Sequence, residues 1–406
     1  MDKKKLLFVG VSPTAFFSGQ GRVARAIVSR LKDFYEIRVA GWGCSSTDFN
    51  GIFIYPNSES WWKIISEWNP DVLFLSHDVW RFQQLVDVRQ KFKDLIIIGY
   101  FTIDGDPISE SWIPIFNSCD VILVPSMWGR RVIFERFSQK PIIYIPQGVD
   151  LNLFYKVVNK EEIKKIIDSK TKEMNVEENR KFYHSGKFTI FFAGMNQTKK
   201  NIGVILDGFD LFAKDKEDVF LVLVLHSHID NKFGMKVLMD YDFKDLYSWR
   251  KSINKFKIIE TQLIDEQLLN LYLVSDVLLS PSIGEGFGLF VLEAMATGTI
   301  PVISNYSAFR ELPHPDAFFL LNVDSFYRST WNVRRAVVSV NSVCSTLNLA
   351  YKNWKEMPEI WKTMQDLNWK RVLQFSWDVC ADKIRKIIDQ LLNRDDCIDV
   401  ELRRIL

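Results

Sequence analysis

The stretch GEGFGLFVLEAMATGTIPVIS, Gly284–Ser304, decides the fold, because it joins a glycine-rich loop to a helix and then to a strand. Three glycines stand among its first five residues, and the apolar run that follows carries one carboxylate, Glu293. Gly298 is the expected end of the helix, since glycine is common just past a helix C-terminus. The loop exposes amide groups at the start of a helix, where anions bind. The stretch therefore predicts an anion site in an α/β domain.

Short apolar runs alternate with helical patterns along most of the chain, which indicates βαβ units and parallel sheets. In the first part the runs are KLLFVGV, EIRVAGW, DVLFLS, LIIIGYF, DVILVPS and IIYIP; in the second part they are FTIFFAG, VFLVLVL, FKIIE, DVLLSPS, TIPVIS and AFFLL. The run Leu6–Val11 is short and ends in Ser-Pro, so we predict a buried strand there rather than a secretion signal. Two Rossmann-like domains would face each other across a cleft, with ligands at the carboxyl ends of their strands.

The chain is divided into four predicted segments. Residues 1–158 form one Rossmann-like domain and residues 183–375 form another. Residues 159–182 are charged and poor in apolar side chains, which indicates an exposed helix or a linker. Residues 376–406 contain an amphipathic helix, which we expect to pack back toward the N-terminal domain.

The composition excludes several classes of protein. The 406 residues are 25% charged and 47% hydrophobic, as in an ordinary globular protein. The 52 basic and 50 acidic residues leave a net charge of +2, so we expect a small partner and no nucleic acid. The five cysteines form no C-x-x-C pair, which favours neither a disulfide framework nor a zinc site and suggests a reducing, cytoplasmic location. No apolar stretch approaches the roughly 18 residues of a membrane span.

Thirteen tryptophans are an unusual number for this length. Several lie in SESWWKIISEWNP and DVWRFQQ, close to Lys63 and Arg81. Such residues can dock at a membrane interface, or they can fill a core and line a crevice. The second interpretation is favoured, and peripheral membrane contact through the N-terminal domain stays open.

FFSGQGRVARAIVSRL contains Gly19, Gly21 and Ala24 in a G-x-G-x-x-A pattern that opens a helix. In the dinucleotide-binding fingerprint this pattern occupies a tight first turn, whereas here about eight residues separate Gly10 from Gly19. No carboxylate follows the second strand, so a nicotinamide site is not favoured. The glycines are instead expected to let the chain approach a ligand closely.

Two short motifs raise the question of a metal ion. Asp104 and Asp106 flank a glycine at a strand end, which suits a divalent cation bridging a diphosphate. A tight turn uses the same residues, and the turn is favoured. His226 and His228 could point to one side of an extended chain, but no third ligand lies nearby in the sequence, so loop histidines are favoured.

Glu285 lies in the glycine-rich loop, eight positions before Glu293. A carboxylate inside the helix would repel a phosphate that touched it, so Glu293 is expected to accept hydrogen bonds from hydroxyl groups. A sugar nucleotide offers both partners: phosphates for the helix start and hydroxyls for the two carboxylates.

At these residues the sequence resembles the retaining GT-B glycosyltransferases of group 1, the family 4 type with an E-x7-E signature. The similarity runs through SDVLLSPSIGEGFGLFVLEAMATGTIPVISNYSAFREL, Ser275–Leu312, and weaker similarity covers SGQGRVARAI, YFTIDG, VPSMWGRRV, IPQGVD, GMNQTKKNIGVILDGF and FSWDVC. It implies an α/β GT-B fold with an acceptor site in the first domain and a donor site in the second. It also implies transfer from a UDP- or GDP-sugar to a hydroxyl of a glycan, a glycolipid or a glycoprotein.

The resemblance assigns roles to individual residues. Glu293 would hold the ribose, Glu285 would contact the transferred sugar, and Lys200 would neutralise the departing diphosphate. Further substrate contacts are implied for the loop residue Gly286, the amides of Phe287, Gly288 and Leu289, the phosphate-covering Gly19 and Gly21, the loop residue Asn196, and Leu263 beside the base.

This chain departs from the family pattern at two positions. The family often has an arginine directly after the glycine equivalent to Gly194, and here that residue is Met195. Lys199 is expected to supply the missing charge. Many relatives carry a histidine near Asp104, and this aspartate is interpreted as a catalytic polar group on the acceptor side.

Breaking the bond between a sugar and a diphosphate puts negative charge on the leaving oxygen. Fixed amides and lysines stabilise such charge by roughly 3 kcal/mol per donor, so neither a metal ion nor another cofactor is expected. The resemblance further implies a same-face reaction with retention. Two alternatives stay open: a metal-dependent GT-A type transferase that uses Asp104 and Asp106, and a nucleotide-sugar-binding module without chemistry.

Overall fold

The computed structural model describes residues 3–15, 18–44, 46–56, 60–157, 159–173, 184–226, 253–260, 263–329 and 331–393. Residues 174–182 of the predicted linker lie outside these residues, as do the chain after residue 393, His228 and the side chain of His226.

An eight-stranded sheet forms the centre of the first domain. Its strands are β1 (Lys5–Val11), β2 (Glu36–Trp42), β3 (Asp48–Phe49), β4 (Ile52–Tyr55), β5 (Val72–Asp78), β6 (Ile96–Thr102), β7 (Val121–Val124) and β8 (Ile142–Tyr144). They lie in the order β3-β4-β2-β1-β5-β6-β7-β8, and only β3 and β4 pair antiparallel. Phe8 lies opposite Phe74 in this sheet, and both are buried because helices cover the two faces.

A six-stranded parallel sheet forms the centre of the second domain. Its strands are β9 (Phe188–Met195), β10 (Val219–His226), β11 (Phe256–Ile259), β12 (Val277–Ser280), β13 (Ile300–Ser304) and β14 (Phe319–Leu321), in the order β11-β10-β9-β12-β13-β14. A separate antiparallel hairpin follows, made of β15 (Val323–Arg328) and β16 (Arg334–Val338).

Helices flank both sheets. They are α1 (Gly19–Leu31), α2 (Trp61–Trp68), α3 (Leu85–Lys91), α4 (Ile113–Ser118), α5 (Met127–Phe134), α6 (Lys160–Glu173), α7 (Ile202–Ala213), α8 (Asp265–Val274), α9 (Leu289–Ala296), α10 (Val340–Glu356), α11 (Pro358–Val372) and α12 (Trp377–Asn393). Across the described part of the chain, no helix has both the length and the apolar character that crossing a bilayer requires.

Every apolar run that was predicted to be a strand forms one, which confirms the parallel α/β architecture. The short β3 and β4 and the hairpin β15–β16 were not predicted. The residues of β15 are almost all exposed, so its sequence VDSFYR lacks the apolar spacing that reveals a buried strand.

Helix α6 lies in the segment that was expected to be an exposed helix or a linker. Its Lys160 and Lys164 are nevertheless buried. Lys160 Nζ donates hydrogen bonds to the carbonyl of Tyr272 at 2.8 Å and to Thr299 Oγ1 at 2.6 Å. Lys164 Nζ forms an ion pair with Asp276 at 2.8 Å. The charges that suggested exposure therefore fasten this helix to the second domain.

The C-terminal helix α12 packs on the first domain. Ile384 and Ile388 are fully buried in the same hydrophobic cluster as Val23 and Ile27 of α1. The apolar face of α12 thus packs beside α1. The described part of the chain therefore begins and ends on the first domain.

Ile384→Ala is expected to lower the free energy of unfolding by about 3 kcal/mol, because it removes a buried side chain and leaves a cavity. Val379, on the same helix, is 52% exposed, so Val379→Ala should change stability by less than about 1 kcal/mol. Urea unfolding followed by tryptophan fluorescence measures both. Equal effects of the two variants would contradict the packing described for α12.

Candidate functional site

The carboxyl ends of the two sheets face a cavity of about 330 Å³ between the domains. The first domain lines it with the start of α1 and with His77, Asp78 and Thr102 at the ends of β5 and β6. The second domain lines it with the end of β9, the turn that follows, and the loop before α9. This is the location where open α/β sheets bind ligands.

Most of the predicted site residues line this cavity; they are Gly19, Lys199, Lys200, Leu263, Glu285, Gly286, Phe287, Gly288, Leu289 and Glu293. Three others do not line it. Gly21 packs on the preceding loop, where an added Cβ would lie 2.2 Å from the carbonyl oxygen of Ala15. Asn196 is buried and is not among the residues that line the cavity. Asp104 lies between the domains in the ion pairs described below.

The start of α9 points at the cavity. Gly288 precedes the helix with φ +104°, and an added Cβ would come within 2.6 Å of Phe309 Cβ, so only glycine fits here. The first amides of a helix have no acceptor within the helix. Gly288, Leu289 and Phe290 all line the cavity, which places the positive end of the helix dipole there.

The loop before α9 touches the first domain directly. An added Cβ at Gly286 would lie 2.5 Å from Thr102 Cβ, so glycine is required for this close approach. The amide of Glu285 donates to Ser307 Oγ at 2.8 Å, which fixes the loop from the other side. The loop is therefore held in place between β6 and the chain after β13.

Glu293 is buried and faces a cation from the other domain. Arg22 Nη1 donates to Glu293 Oε1, and Tyr272 Oη donates to Glu293 Oε2 at 3.0 Å. Arg22 Nη2 also donates to Asp265 Oδ1 at 2.5 Å. Burial acts to lower the pKa of Arg22, but Glu293 and Asp265 raise it above its ordinary value, so the guanidinium stays charged.

The two adjacent lysines point to different carboxylates. Lys200 Nζ lies 2.5 Å from Glu285 Oε1, and Lys199 Nζ lies 2.6 Å from Asp104 Oδ2. Burial acts to raise the pKa of Glu285, but Lys200 and Lys199 bring it below its ordinary value. Glu285 is therefore ionised near neutral pH, and each lysine charge is compensated by a carboxylate.

Asp104 and Asp106 are held by cations of the hairpin. Arg335 Nη1 lies 2.7 Å from Asp104 Oδ1, and Arg334 Nη2 lies 2.6 Å from Asp106 Oδ2. Burial acts to raise the pKa of Asp104, but Lys199 and Arg335 lower it to about 2. The two aspartates thus join the domains, and the acceptor-side role of Asp104 stays a prediction. Among the described residues, no three His, Cys, Asp or Glu side chains cluster as a metal site requires.

His77 lines the cavity but was not predicted from the sequence. Its Nδ1 accepts the backbone N–H of Asp78 at 2.7 Å, so in a neutral ring the proton is on Nε2. Burial lowers the pKa of His77 to about 4, with Arg81 and Lys199 acting in the same direction against Asp78. The ring is therefore a neutral hydrogen-bond donor near pH 7.

Residues 174–317 match the sequence model of the family Glycosyl transferases group 1. This segment contains both lysines, the glycine-rich loop and Glu293. Together these residues line the second-domain side of the cavity. The rest of the cavity wall, with Arg22 and His77, lies outside the matched segment.

Three known proteins give the scale of the similarity. A mannosylfructose-phosphate synthase from Agrobacterium fabrum is 26% identical over 194 residues, which cover 47% of this chain and 38% of that protein. The structure of a glycosyltransferase from Rickettsia africae has a TM-score of 0.69 at 16% identity and covers 97% of this chain and 99% of its own. HepE from Anabaena in complex with UDP-glucose has a TM-score of 0.66 at 13% identity, covering 95% and 99%. The structural similarities confirm the predicted GT-B fold.

Asp104→Asn is expected to lower the free energy of unfolding by about 3 kcal/mol at pH 7, because it leaves Lys199 and Arg335 without their shared buried carboxylate. The pKa of Asp104 is lower in the folded protein, so its stabilisation is present above the ordinary value of 3.8 and is lost as the pH falls toward about 2. Urea unfolding at several pH values should show a constant difference between wild type and variant from pH 7 to about 5, and a smaller one below about 4.

Asp378 provides a matched control, since it also pairs with an arginine, Arg30, but its side chain is 82% exposed. Asp378→Asn should change stability by less than about 1 kcal/mol at every pH. If Asp104→Asn lowers the free energy of unfolding by as little as Asp378→Asn does, the interdomain ion pair contributes little to stability.

Proposed function

We propose that the protein is a retaining glycosyltransferase that moves a sugar from a UDP- or GDP-sugar to a hydroxyl of an acceptor. One observation carries the proposal: a single interdomain cavity combines a helix start and two lysines, which suit phosphates, with two carboxylates, which suit sugar hydroxyls. The match of residues 174–317 to a glycosyltransferase family supports it. So does the fold shared with HepE, which binds UDP-glucose.

The diphosphate would bind at the start of α9 beside Lys200. Lys200 is paired with Glu285, so binding of a diphosphate to Lys200 requires an exchange of partners. Hydroxyls of the transferred sugar would donate to Glu285, and Lys200 would then turn its charge to the phosphates. The exchange keeps every buried charge compensated, which is the condition for a charged ligand to enter a site of low dielectric constant.

The ribose would bind at Glu293. A carboxylate has about four acceptor positions on its two oxygens, and Arg22 and Tyr272 occupy one on each. The remaining positions can accept two ribose hydroxyls. Arg22 and Tyr272 would hold the carboxylate in the orientation that this contact needs.

The residues around the cavity fit a reaction on one face of the sugar. The bond between the anomeric carbon and the phosphate oxygen breaks while the acceptor oxygen bonds to the same carbon, and the acceptor proton passes to a phosphate oxygen. The amides of α9 and Lys200 would stabilise the charge that builds up on the leaving diphosphate, with roughly 3 kcal/mol per donor. Because these groups themselves stabilise the leaving charge, we propose that the reaction needs no metal ion.

The proposal is tested with UDP- and GDP-sugars of several hexoses, by measuring release of the nucleoside diphosphate in the presence of EDTA. The wild type should turn over at least one donor. Lys200→Ala should lower kcat by about 100-fold or more, because the leaving charge loses a preorganised cation. Lys214, at the exposed end of α7, provides a control, and Lys214→Ala should behave as wild type.

Three results would contradict the proposal in different ways. Nucleotide binding without turnover of any donor would indicate a binding module. Activity that EDTA abolishes and Mn²⁺ restores would remove the metal-independent mechanism. Turnover by Lys200→Ala equal to that of Lys214→Ala would show that the leaving group lies elsewhere.

A further inference from the structure

Three tryptophans lie together on the cleft side of the first domain, and we call them the tryptophan shelf. Trp42 ends β2, Trp80 follows the end of β5, and Trp331 lies in the turn of the hairpin β15–β16. The rings of Trp80 and Trp331 stack with their centroids 6.3 Å apart and 21° between their planes. The guanidinium carbon of Arg81 lies 4.6 Å from the Trp80 ring centroid and 5.3 Å from that of Trp42.

The shelf is partly open to solvent. Trp80 is 37% exposed and Arg81 is exposed, while Trp42 and Trp331 are half-buried. Tryptophans that serve only to fill a core are buried more completely than these rings, because burial of apolar surface stabilises the folded protein. An exposed cluster of aromatic rings beside a cavity is a common feature of binding sites.

The shelf is continuous with the proposed active site. The ring of His77 meets the Trp42 ring edge-on at a centroid distance of 5.6 Å, and His77 itself lines the interdomain cavity. Asp78, which also lines the cavity, is followed one residue later by Val79 and then by Trp80. A molecule whose reacting hydroxyl lies in the cavity near His77 can therefore extend over the shelf.

The hairpin holds the shelf in place. Val333 is fully buried in the hydrophobic cluster of the first domain, although it belongs to the chain segment that follows the second sheet. The amide of Arg334 donates to the carbonyl of Asp106 at 2.8 Å, and the amide of Ala336 donates to the carbonyl of Ile283 at 3.0 Å. These contacts reach both domains and place Trp331 against Trp80, so the shelf is a preformed surface.

We propose that the tryptophan shelf is a subsite for a saccharide acceptor. This inference rests on the proposed glycosyltransferase function and names its acceptor class as a carbohydrate chain. A sugar ring has an apolar face of C–H groups and a rim of hydroxyls. The exposed parts of the indole rings can shield the C–H groups from water, while Arg81, His77 and Asp78 are positioned to bond the rim. A lipid chain would instead need a continuous apolar surface, and the cationic side chain of Arg81 interrupts the tryptophan shelf.

The test uses an immobilised array of defined oligosaccharides, probed with labelled full-length protein and saturating UDP or GDP. Wild type should bind at least one oligosaccharide. Trp80→Ala and Trp331→Ala should each weaken that binding about tenfold, and Trp80→Phe should retain most of it, because a ring face remains. Nucleotide affinity, measured by calorimetry on each variant, should stay within about twofold of wild type, since the shelf lies outside the diphosphate and ribose contacts.

Phe34→Ala is the matched control. Phe34 is 53% exposed beneath the guanidinium of Arg385, with 4.9 Å between the guanidinium carbon and the ring centroid, but it lies at the amino end of β2, away from the cleft. Oligosaccharide binding by Phe34→Ala should equal that of wild type.

The outcomes separate this inference from the proposed function. If neither UDP nor GDP binds, the proposed function fails. If a nucleotide binds but no oligosaccharide does, or if the two alanine variants bind oligosaccharide as well as Phe34→Ala does, the shelf proposal is overturned while the donor site stands. Selective binding to lipid vesicles or to peptides through Trp80 would also overturn it.

Discussion

The interdomain cleft depends on the pairing of buried charges, because an unpaired charge away from water destabilises a protein by several kcal/mol. Arg22 of the first domain meets Glu293 of the second, and Lys199 of the second domain meets Asp104 of the first. Each pair lies across the boundary between the sheets, so the domains compensate each other's charges. Their relative position follows from this constraint, and so does the shape of the cavity between them.

The same pairing explains how a cavity lined by carboxylates can accept an anion. Every cation near the start of α9 already has a carboxylate partner, such as Glu285 for Lys200. A sugar nucleotide brings hydroxyl donors and phosphate acceptors together, and can replace both members of that pair at once. A simple anion would satisfy the lysine and leave Glu285 without that ion-pair partner. The arrangement thus favours a ligand with both kinds of group over inorganic phosphate or free nucleobase.

The sequence predicts the sheets well because buried parallel strands are nearly continuous apolar runs, and it predicts the loop before α9 because three glycines in five residues have few other uses. It cannot reveal that Arg22 contacts Glu293, 271 positions away, since side-chain pairing across domains leaves no local pattern. The sequence gives one weak indication of a role for Arg22, because this residue directly follows Gly21 in a motif that is expected to approach a ligand. Tyr272 gave no signal, as it lies among apolar residues of α8. The hairpin escaped prediction because β15 is almost entirely exposed and so lacks an apolar pattern.

The structure of the protein in complex with UDP, or with GDP if that nucleotide binds more tightly, tests the exchange of partners most directly. We expect the diphosphate at the amides of Gly288 and Leu289, with Lys200 Nζ about 2.8 Å from a phosphate oxygen and no longer bonded to Glu285. We also expect Glu293 to accept the ribose hydroxyls while still bonded to Arg22. A nucleotide bound outside the cleft, or one bound there while Lys200 keeps its bond to Glu285, would contradict it.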